Sequence, residues 1–172
     1  LAHRPLAEWV AKRLAGHAAE ILISANRNLM QYARLGHTVV PDYLPEYPGP
    51  LAGLLSAART AQREWLITVP CDVPFLPLEL VMQLHDHAIA RQVPLVRAAD
   101  EIGTHFAIML VHRDLIPDLE CYVSDGGRQV RAWQEKHPNE IVYFGGDPYA
   151  FLNINTPEDL KTAERVAHRY QR

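Results

Sequence analysis

Three short polar side chains follow three apolar runs and are the first candidates for chemistry. They are Asn26, Asp42 and Asp72, and each apolar run has the length and composition of a buried parallel strand. The carboxyl ends of parallel strands meet at one edge of a sheet, where ligands bind in open α/β folds. We therefore expect the three side chains to converge on one ligand.

Asp72 is a candidate metal ligand and catalytic residue. A carboxylate at this position can bind Mg²⁺, which prefers oxygen ligands and shares them with phosphates. Pro70 and Pro74 restrict the backbone on either side and would fix the direction of the side chain. Two alternatives stay open: a carboxylate that caps the next helix or meets solvent, and the phosphoryl acceptor of a phosphorelay receiver. The receiver would require further acidic partners and a lysine, which the sequence does not clearly provide.

Asn26 and Asp42 together suggest a site for a nucleotide base. Guanine presents its N1–H and N2–H₂ donors side by side, and one carboxylate can accept both. Adenine lacks this pair of donors, so a site built around an aspartate would discriminate strongly against it. The alternative is that both residues only form turns, as Asn and Asp commonly do in loops.

The loop 43–53 is rich in proline and glycine and leads directly into a helix pattern. Gly49 would let the chain turn where a Cβ would clash, and Pro50 would begin the helix with its first N–H groups facing outward. Gly53 would allow a close approach inside the first helical turn. Because a loop stiffened by proline loses less entropy on binding, we expect a wall of the nucleotide site. A rigid surface turn is the alternative.

Two amides near the C-terminus are candidates for a second ligand. Asn153 and Asn155 alternate along an extended segment, so their side chains lie on one side of it. Uncharged amides suit a heterocycle or a sugar better than a metal ion, and backbone capping by Asn155 is the alternative. Arg128 follows a glycine turn and could meet a phosphate or be an ordinary helix charge.

The histidines and cysteines do not indicate a metal site. The nine histidines are scattered, and His85 and His87 point in different directions on a predicted helix. Only His105, beside Thr104, is expected to line the site. The two cysteines are far apart and belong to no CxxC pair, so neither a disulfide framework nor a zinc knuckle is expected.

The overall composition excludes several classes of protein. The chain has 172 residues, 48% of them hydrophobic, and a formal net charge of −3, which fits one globular domain. Basic residues form no run, so nucleic acid is not the expected partner. The apolar runs are too short to span a membrane, and no signal peptide is visible. These features favour a cytoplasmic protein with no membrane partner.

Strands and helices alternate along the chain. We predict strands at 19–26, 37–42, 65–70, 93–99, 105–112 and 140–145, and helices at 5–15, 50–61, 76–90, 114–123, 128–137 and after Thr156. Thr156 is a good N-cap, followed by Pro157 in the first turn. The alternation indicates an α/β fold, a three-layer, doubly wound, Rossmann-like domain with a mostly parallel sheet.

In five segments along essentially its whole length, the sequence resembles the molybdenum cofactor guanylyltransferases. They are SANRN (24–28), VVPDYLPEYPGPLAGLLSA (39–57), LITVPCDVPFLP (66–77), GGRQV (126–130) and FLNINTPEDL (151–160). YPGPLAG together with NINTPEDL is fairly specific, whereas PCDVPFLP is shared with many sugar-nucleotide transferases. The related cytidylyltransferases usually carry Asp where Asn153 and Asn155 stand, and they lack YPGPLAG.

The resemblance implies a fold of the nucleotide-diphospho-sugar transferase type and a reaction. GMP would pass from GTP to molybdopterin with release of pyrophosphate, and Mg²⁺ would be the cofactor. Molybdoenzyme-specific chaperones and the preceding molybdenum-insertion enzyme are the implied protein partners. The alternatives are a cytidylyl- or sugar-phosphate nucleotidyltransferase and a non-catalytic adaptor in molybdoenzyme maturation.

The resemblance also implies two groups of site residues. The nucleotide group is Asn26, Asp42, Gly49, Gly53 and Asp72, and Asp72 is also the metal ligand and catalytic residue. The pterin group is Asn153, Asn155 and Arg128.

One element of the family pattern has no counterpart in this sequence. The family opens with a strand and a glycine-rich loop of the type LAGGxxxRMGxDK, which carries the basic residues that bind the triphosphate. It should precede the segment HRPLAEWV, at 3–10. We therefore expect a single nucleotidyltransferase domain over 1–172 whose first strand and phosphate loop are missing at the N-terminus. Such a chain by itself is expected to be inactive.

Overall fold

The computed structural model describes residues 1–42 and 49–171. Residues 43–48, the proline-rich part of the predicted loop, lie outside the described residues. The helices are α1 Leu6–Leu14, α2 Leu29–Ala33, α3 Pro50–Thr60, α4 Leu80–Arg91, α5 Ile116–Ser124, α6 Val130–Gln134 and α7 Pro157–Val166. Within the described ranges, none of them is long and apolar enough to cross a membrane.

The strands form two sheets. Strands β1 (Leu22–Ser24) and β2 (Thr38–Val40) pair in parallel. The second sheet has the order β3-β5-β4-β6, formed by Trp65–Thr68, Thr104–His112, Leu95–Ala99 and Asn139–Tyr143. Strand β5 runs antiparallel to both of its neighbours, whereas β4 and β6 are parallel. The mostly parallel strand direction is confirmed, and β5 reverses because its short connection from β4 allows only a hairpin.

Helices cover both faces of the four-stranded sheet and confirm the three-layer prediction. On one face α1 and α4 pack on apolar side chains such as Val96, Ala98 and Ile108. On the other face α3, α5 and α6 pack on Leu95, Met109 and their neighbours. The alternation of side chains along β4 and β5 divides the core in this way, because successive residues of a strand point to opposite faces.

A slot separates the two sheets. Within the described residues, β1 pairs only with β2 and β3 pairs only with β5, so each has a free edge. A cavity of about 500 Å³ lies between them and is lined by apolar side chains that include Leu14, Leu22, Leu54 and Ile67. The slot explains why the prediction of a buried β1 is wrong: Leu22 and Ile23 are half-buried and Ser24 is exposed.

The helix predictions differ from the structure mainly at their ends. Helix α2 was not predicted, because its five residues include none that is buried and so give no apolar pattern. Helix α4 begins at Leu80 rather than at 76, after the turn through Pro77. The N-terminus of α7 is confirmed: Thr156 caps it, and Asp159 completes a capping box.

Candidate nucleotide-binding site

Asn26 and Asp42 form a reciprocal pair at the carboxyl ends of β1 and β2. The Asn26 Nδ2 donates to Asp42 Oδ2 at 2.7 Å, and the Asp42 backbone N–H donates to Asn26 Oδ1 at 2.8 Å. The two strands end side by side because they pair in parallel, with Ser24 opposite Val40. Asn26 therefore fixes both the backbone and the carboxylate of Asp42, while each carboxylate oxygen keeps a lone pair for a ligand.

Gly53 is the close-approach glycine that the sequence predicts. A Cβ at this position would lie 2.9 Å from Ser24 Oγ and 3.9 Å from Asp42 Oδ1. Ser24 in turn donates to Asp42 Oδ1 at 3.2 Å. The absence of a side chain at Gly53 thus lets helix α3 press against the polar end of β1 without displacing the Asp42 carboxylate.

Gly49 is required for a different reason from the one predicted. It is the N-cap of α3 with φ of +135°, a conformation that residues with a side chain rarely adopt. A Cβ there would meet no atom within 4 Å among the described residues, so no clash is avoided. Pro50 begins the helix as predicted.

One cleft joins most of the predicted nucleotide residues. Asn26, Asp42, Gly49 and Gly53 line the same cavity of about 500 Å³ that opens between β1 and β3. Across the cleft the lining continues through Val69, Pro70 and Cys71 at the end of β3, and Asp72 follows directly. Asp72 itself is not part of the lining, so it borders the cleft rather than facing it from the centre.

One carboxylate oxygen of Asp72 has no partner in the part of the chain that the structure describes. Its Oδ1 is buried and has no hydrogen-bond partner among the described residues. Its backbone carbonyl accepts from the N–H of Ile154 at 2.9 Å, which holds the segment 153–155 against the end of β3. A buried carboxylate oxygen without a partner is costly unless a ligand completes it. Hard cations such as Mg²⁺ are the ligands that carboxylate oxygens prefer.

Asn153 and Asn155 lie beside Asp72 through this backbone contact. Both side chains are exposed, and the intervening Ile154 is half-buried, so the two amides share one side of the segment as predicted. The side chain of Asp159 accepts from the N–H of Asn155 at 3.1 Å and from that of Thr156 at 2.8 Å. The capping box of α7 thus holds the segment that carries the amides.

Arg128 makes contacts of its own within the fold. Its Nη1 donates to the carbonyls of Val123 at 3.1 Å and Gly127 at 2.8 Å, which places the guanidinium at the C-terminus of α5. Gly127 is packed against the ring of Tyr122, where a Cβ would lie 2.5 Å from the ring atoms. These contacts match the ordinary helix charge that the sequence left open for Arg128.

Cys71 is the remaining titratable group next to Asp72. Desolvation, followed by the charge of the Asp72 carboxylate, raises the pKa of the Cys71 thiol, although the side chain reaches the surface. The thiol is therefore neutral near pH 7 and adds no negative charge to a cleft that would receive a polyphosphate.

The sequence did not indicate two polar side chains of this edge. Ser24 was hidden inside a predicted buried strand, although its position two residues before Asn26 places both on one face. Asp100 lies at the end of β4, with its carboxylate 3.0 Å from the predicted His105. A search of every strand end, rather than of the first three, would have found Asp100.

Solved structures identify the class of fold. The crystal structure of molybdopterin-guanine dinucleotide biosynthesis protein A from Archaeoglobus fulgidus superposes with a TM-score of 0.74 at 20% identity, covering 95% of this chain and 86% of that one. A manganese complex of Rv0371C from Mycobacterium tuberculosis has a TM-score of 0.64 at 14% identity, covering 91% and 83%. The fold is that of a nucleotidyltransferase of the nucleotide-diphospho-sugar transferase type.

Sequence comparison then specifies the family. Residues 1–141 match the model of the MobA-like NTP transferase domain. Molybdenum cofactor guanylyltransferases of Ralstonia nicotianae and Shewanella halifaxensis are 39% and 35% identical, covering 94% and 92% of this chain and 83% and 79% of those proteins. The chain belongs to the MobA-like molybdenum cofactor guanylyltransferase family of nucleotidyltransferases.

Proposed function

We propose that the protein transfers GMP from GTP to molybdopterin and releases pyrophosphate. The observation that carries the proposal is the cleft in which the Asn26–Asp42 pair faces the end of β3, directly before Asp72. It brings a hydrogen-bonding group suited to a purine base and an unsatisfied carboxylate to one edge of the sheet. The family of the chain supports the same reaction.

The Asn26–Asp42 pair would bind the guanine base. The carboxylate keeps acceptor lone pairs on both oxygens, which suit the neighbouring N1–H and N2–H₂ donors of guanine. Because Asn26 already holds Asp42 through two hydrogen bonds, little ordering is left to occur on binding. Gly49 and Gly53 would shape the wall of the base pocket at the start of α3.

Asp72 would hold Mg²⁺ through its buried, unpartnered Oδ1. No group of three metal-ligating side chains occurs among the residues 1–42 and 49–171, which suits Mg²⁺ held by one carboxylate together with substrate phosphates. The ion would supply charge neutralisation at the transferred phosphate when bound.

The exposed amides of Asn153 and Asn155 would face the pterin. Their segment is tied to the backbone of Asp72, so a group bound by them lies beside the triphosphate side of the cleft. Arg128 would offer the phosphate of the acceptor the N–H groups that its contacts with Val123 and Gly127, both made by Nη1, do not use.

The transfer requires little acid–base chemistry from the protein. An oxygen of the terminal phosphate of molybdopterin attacks the α-phosphorus of GTP, and the bond from that phosphorus to the pyrophosphate oxygen breaks. The nucleophile is already an anion, so the work of the site is to align the two substrates and to offset charge. The cleft between β1 and β3 would align GTP, and the segment 153–155 would align the acceptor.

We also propose that one further strand fills the apolar part of the slot between the two sheets and leaves its polar end, at Asn26 and Asp42, open to GTP. The free edges of β1 and β3 and the apolar lining by Leu14, Leu22 and Ile67 are what a central parallel strand requires. The loop after such a strand would meet the triphosphate at the same sheet edge as Asp42 and Asp72. Amide hydrogen exchange of Leu22–Ser24 and Trp65–Thr68 tests the proposal, because the filled slot protects both edges.

The function is tested by product analysis with Mg²⁺ and with a protein in which the strand and phosphate loop of the family pattern precede residues 1–172. The protein is incubated with purified molybdopterin cofactor and, in parallel, with GTP, CTP, UTP or ATP labelled at the α-phosphate. We expect label in a guanine dinucleotide product with GTP, together with one pyrophosphate for each product formed. Preference for CTP, or transfer to sugar phosphates instead, would replace the proposal by another nucleotidyltransferase reaction. Binding of a molybdoenzyme without any transfer would identify an adaptor.

A further inference from the structure

His105 and its partners form a polar cluster that the proposed reaction has not used. We propose that His105 contacts the anionic phosphate of the acceptor substrate and sets the preference for a phosphate-bearing acceptor. The proposal rests on the nucleotidyltransferase function above and adds a residue to its acceptor side.

Two contacts fix the His105 ring. Its Nε2 lies 3.0 Å from Asp100 Oδ1, and the ring stacks on Phe151 with 4.5 Å between centroids and 24° between planes. The side chain of Asp100 is 8% exposed, and its Oδ1 also accepts from the N–H groups of Ile102 and Gly103 at 2.9 and 3.2 Å. The carboxylate is therefore rigid, and the ring that it holds is pre-oriented.

One ring nitrogen of His105 is left for a ligand. The Nε2 atom is buried and faces Asp100, and the two atoms form a close ion-pair contact that is not aligned as a hydrogen bond. A carboxylate at this distance favours a proton on Nε2. Nδ1 has no hydrogen bond among the described residues, and the side chain remains 22% exposed. Nδ1 is the group that would donate to a phosphate oxygen, with the ring in its imidazolium form so that both nitrogens carry a proton.

The direction of β5 places His105 at the edge that carries Asp72. Strand β5 runs antiparallel to β3 and β4, so His105, which pairs with Ala98, lies at the edge of the sheet where β3 and β4 end. The Thr68 hydroxyl donates to the carbonyl of Ala107 at 2.9 Å, which keeps β5 beside the end of β3. The position of His105 thus follows from pairing rather than from a loop.

The segment 151–155, which is proposed to bind the acceptor, also connects His105 with Asp72. Phe151, which stacks on His105, is followed by Ile154, which bonds to the backbone of Asp72. Three residues of extended chain span at most about 11 Å, so a short segment links the contact with His105 to the contact with Asp72. Asn153, which is proposed above to face the pterin, lies between the two contacts.

The charges around His105 favour binding of a phosphate group when a metal ion is bound at Asp72. The carboxylate of Asp100 is in direct contact with the ring, at 3.0 Å from Nε2. Asp72 would be neutralised by its metal ion. A phosphate oxygen can then occupy the remaining face, where a histidine donor offers the charge-assisted hydrogen bond that phosphate prefers.

A purely structural role is the competing explanation, and two substitutions separate it. Gln places an amide nitrogen near the position of Nε2, so His105→Gln keeps the group that faces Asp100. Asn places its amide near the position of Nδ1, so His105→Asn keeps the group that would face the phosphate. The two roles therefore predict opposite rankings of the two variants.

The experiment measures KM for the molybdopterin acceptor, calorimetric Kd for Mg²⁺–GTP, and Tm for both variants. For His105→Gln we expect an acceptor KM about tenfold higher, the loss expected for one charge-assisted hydrogen bond, and an unchanged Kd for GTP. For His105→Asn we expect an acceptor KM within about threefold of the wild type but a lower Tm than that of His105→Gln.

His137 provides a matched control on the far side of the sheet. Its Nε2 lies 2.9 Å from Asp118 Oδ2, and its ring contacts Trp133 at 5.3 Å between centroids. His137→Gln and His137→Asn should lower Tm without changing the acceptor KM.

Two results would overturn the proposal. One is an acceptor KM that follows Tm across all four variants, and the other is a His105→Gln enzyme with wild-type acceptor KM. A wild-type protein that forms no guanylylated product would instead reject the proposed function itself. Failure of the proposed function is distinguishable from failure of the His105 proposal, because only the former is seen in the unsubstituted protein.

Discussion

The edge at which strands β1, β2 and β3 end has two halves. These halves differ in how completely the polar groups are satisfied by hydrogen bonds. On the half formed by β1 and β2, Asn26, Asp42 and Ser24 bond to one another, and Gly53 leaves room for them. On the half formed by β3 and the segment 153–155, the Asp72 carboxylate has an unpartnered buried oxygen. The amides of that segment are exposed to solvent.

Under the proposed function, this difference would separate recognition of the base from the chemistry of the transfer. A base is recognised by fixed donors and acceptors, so that half benefits from being built before the ligand arrives. A metal ion and a transferred phosphate supply their own ligands and charges, so the protein leaves oxygen atoms unsatisfied there. The following predictions test this contrast, from the largest expected effect to the smallest.

Asp72→Asn should produce the largest loss. An amide is a poor substitute for a carboxylate toward Mg²⁺, so kcat should fall at least about a hundredfold while the fold is retained. Steady-state guanylyl transfer and circular dichroism measure the two effects. The matched control is Asp114→Asn, whose carboxylate is 85% exposed at the other end of β5 and should leave kcat unchanged. A nearly active Asp72→Asn enzyme would contradict the metal role.

Asp42→Asn should act on nucleotide choice rather than on catalysis. The new amide would present a donor to a donor of guanine, so the affinity for GTP should fall about ten- to a hundredfold. The affinity for ATP should change little, since adenine does not use that pair of contacts. Calorimetric titration of both nucleotides measures the ratio. An unchanged ratio of GTP to ATP affinity would show that Asp42 does not recognise the base. The proposed role of the half formed by β1 and β2 would then be wrong.

Gly53→Ala should have a moderate effect that a second substitution relieves. The added methyl would lie 2.9 Å from Ser24 Oγ and push the serine toward Asp42, so we expect roughly a fivefold weaker Kd for GTP. In a Ser24→Ala background the nearest contact relaxes to the Cβ at 3.4 Å, and the cost of Gly53→Ala should largely disappear. Additive effects of the two substitutions would argue against this contact.

Acidification should have the smallest effect on stability. It should act on the half formed by β3 and the segment 153–155. The pKa of Asp159 is held below its usual value by a hydrogen bond with the Thr156 side chain. Hydrogen bonds from the backbone N–H groups of Thr156 and Asn155 act in the same direction. Because the folded-state pKa is depressed, this stabilisation is complete above the unfolded pKa of about 4 and is lost as pH falls through the folded pKa. A Tm series should therefore decline slightly more steeply for wild type than for Asp159→Asn. Parallel curves would exclude the contribution.

Much of this arrangement follows from local sequence patterns, and the rest depends on pairing between distant segments. The strand-end positions of Asn26, Asp42 and Asp72 could be predicted because each apolar run ends in a short polar residue. The need for Gly53 could be predicted as a close approach, but its neighbour Ser24 could not, since that contact joins a helix to another strand. The bond between Ile154 and Asp72 is likewise invisible to any local pattern.

The reversed direction of β5 has a consequence for locating functional groups in related folds. In a strand that runs against its neighbours, the start of the strand reaches the rim that the others reach with their ends. Side chains at the start of such a strand therefore lie at that rim, as with Thr104 and His105 at the beginning of β5. A hairpin inserted into an otherwise parallel sheet therefore adds positions for functional side chains at this rim. It does so without lengthening any loop.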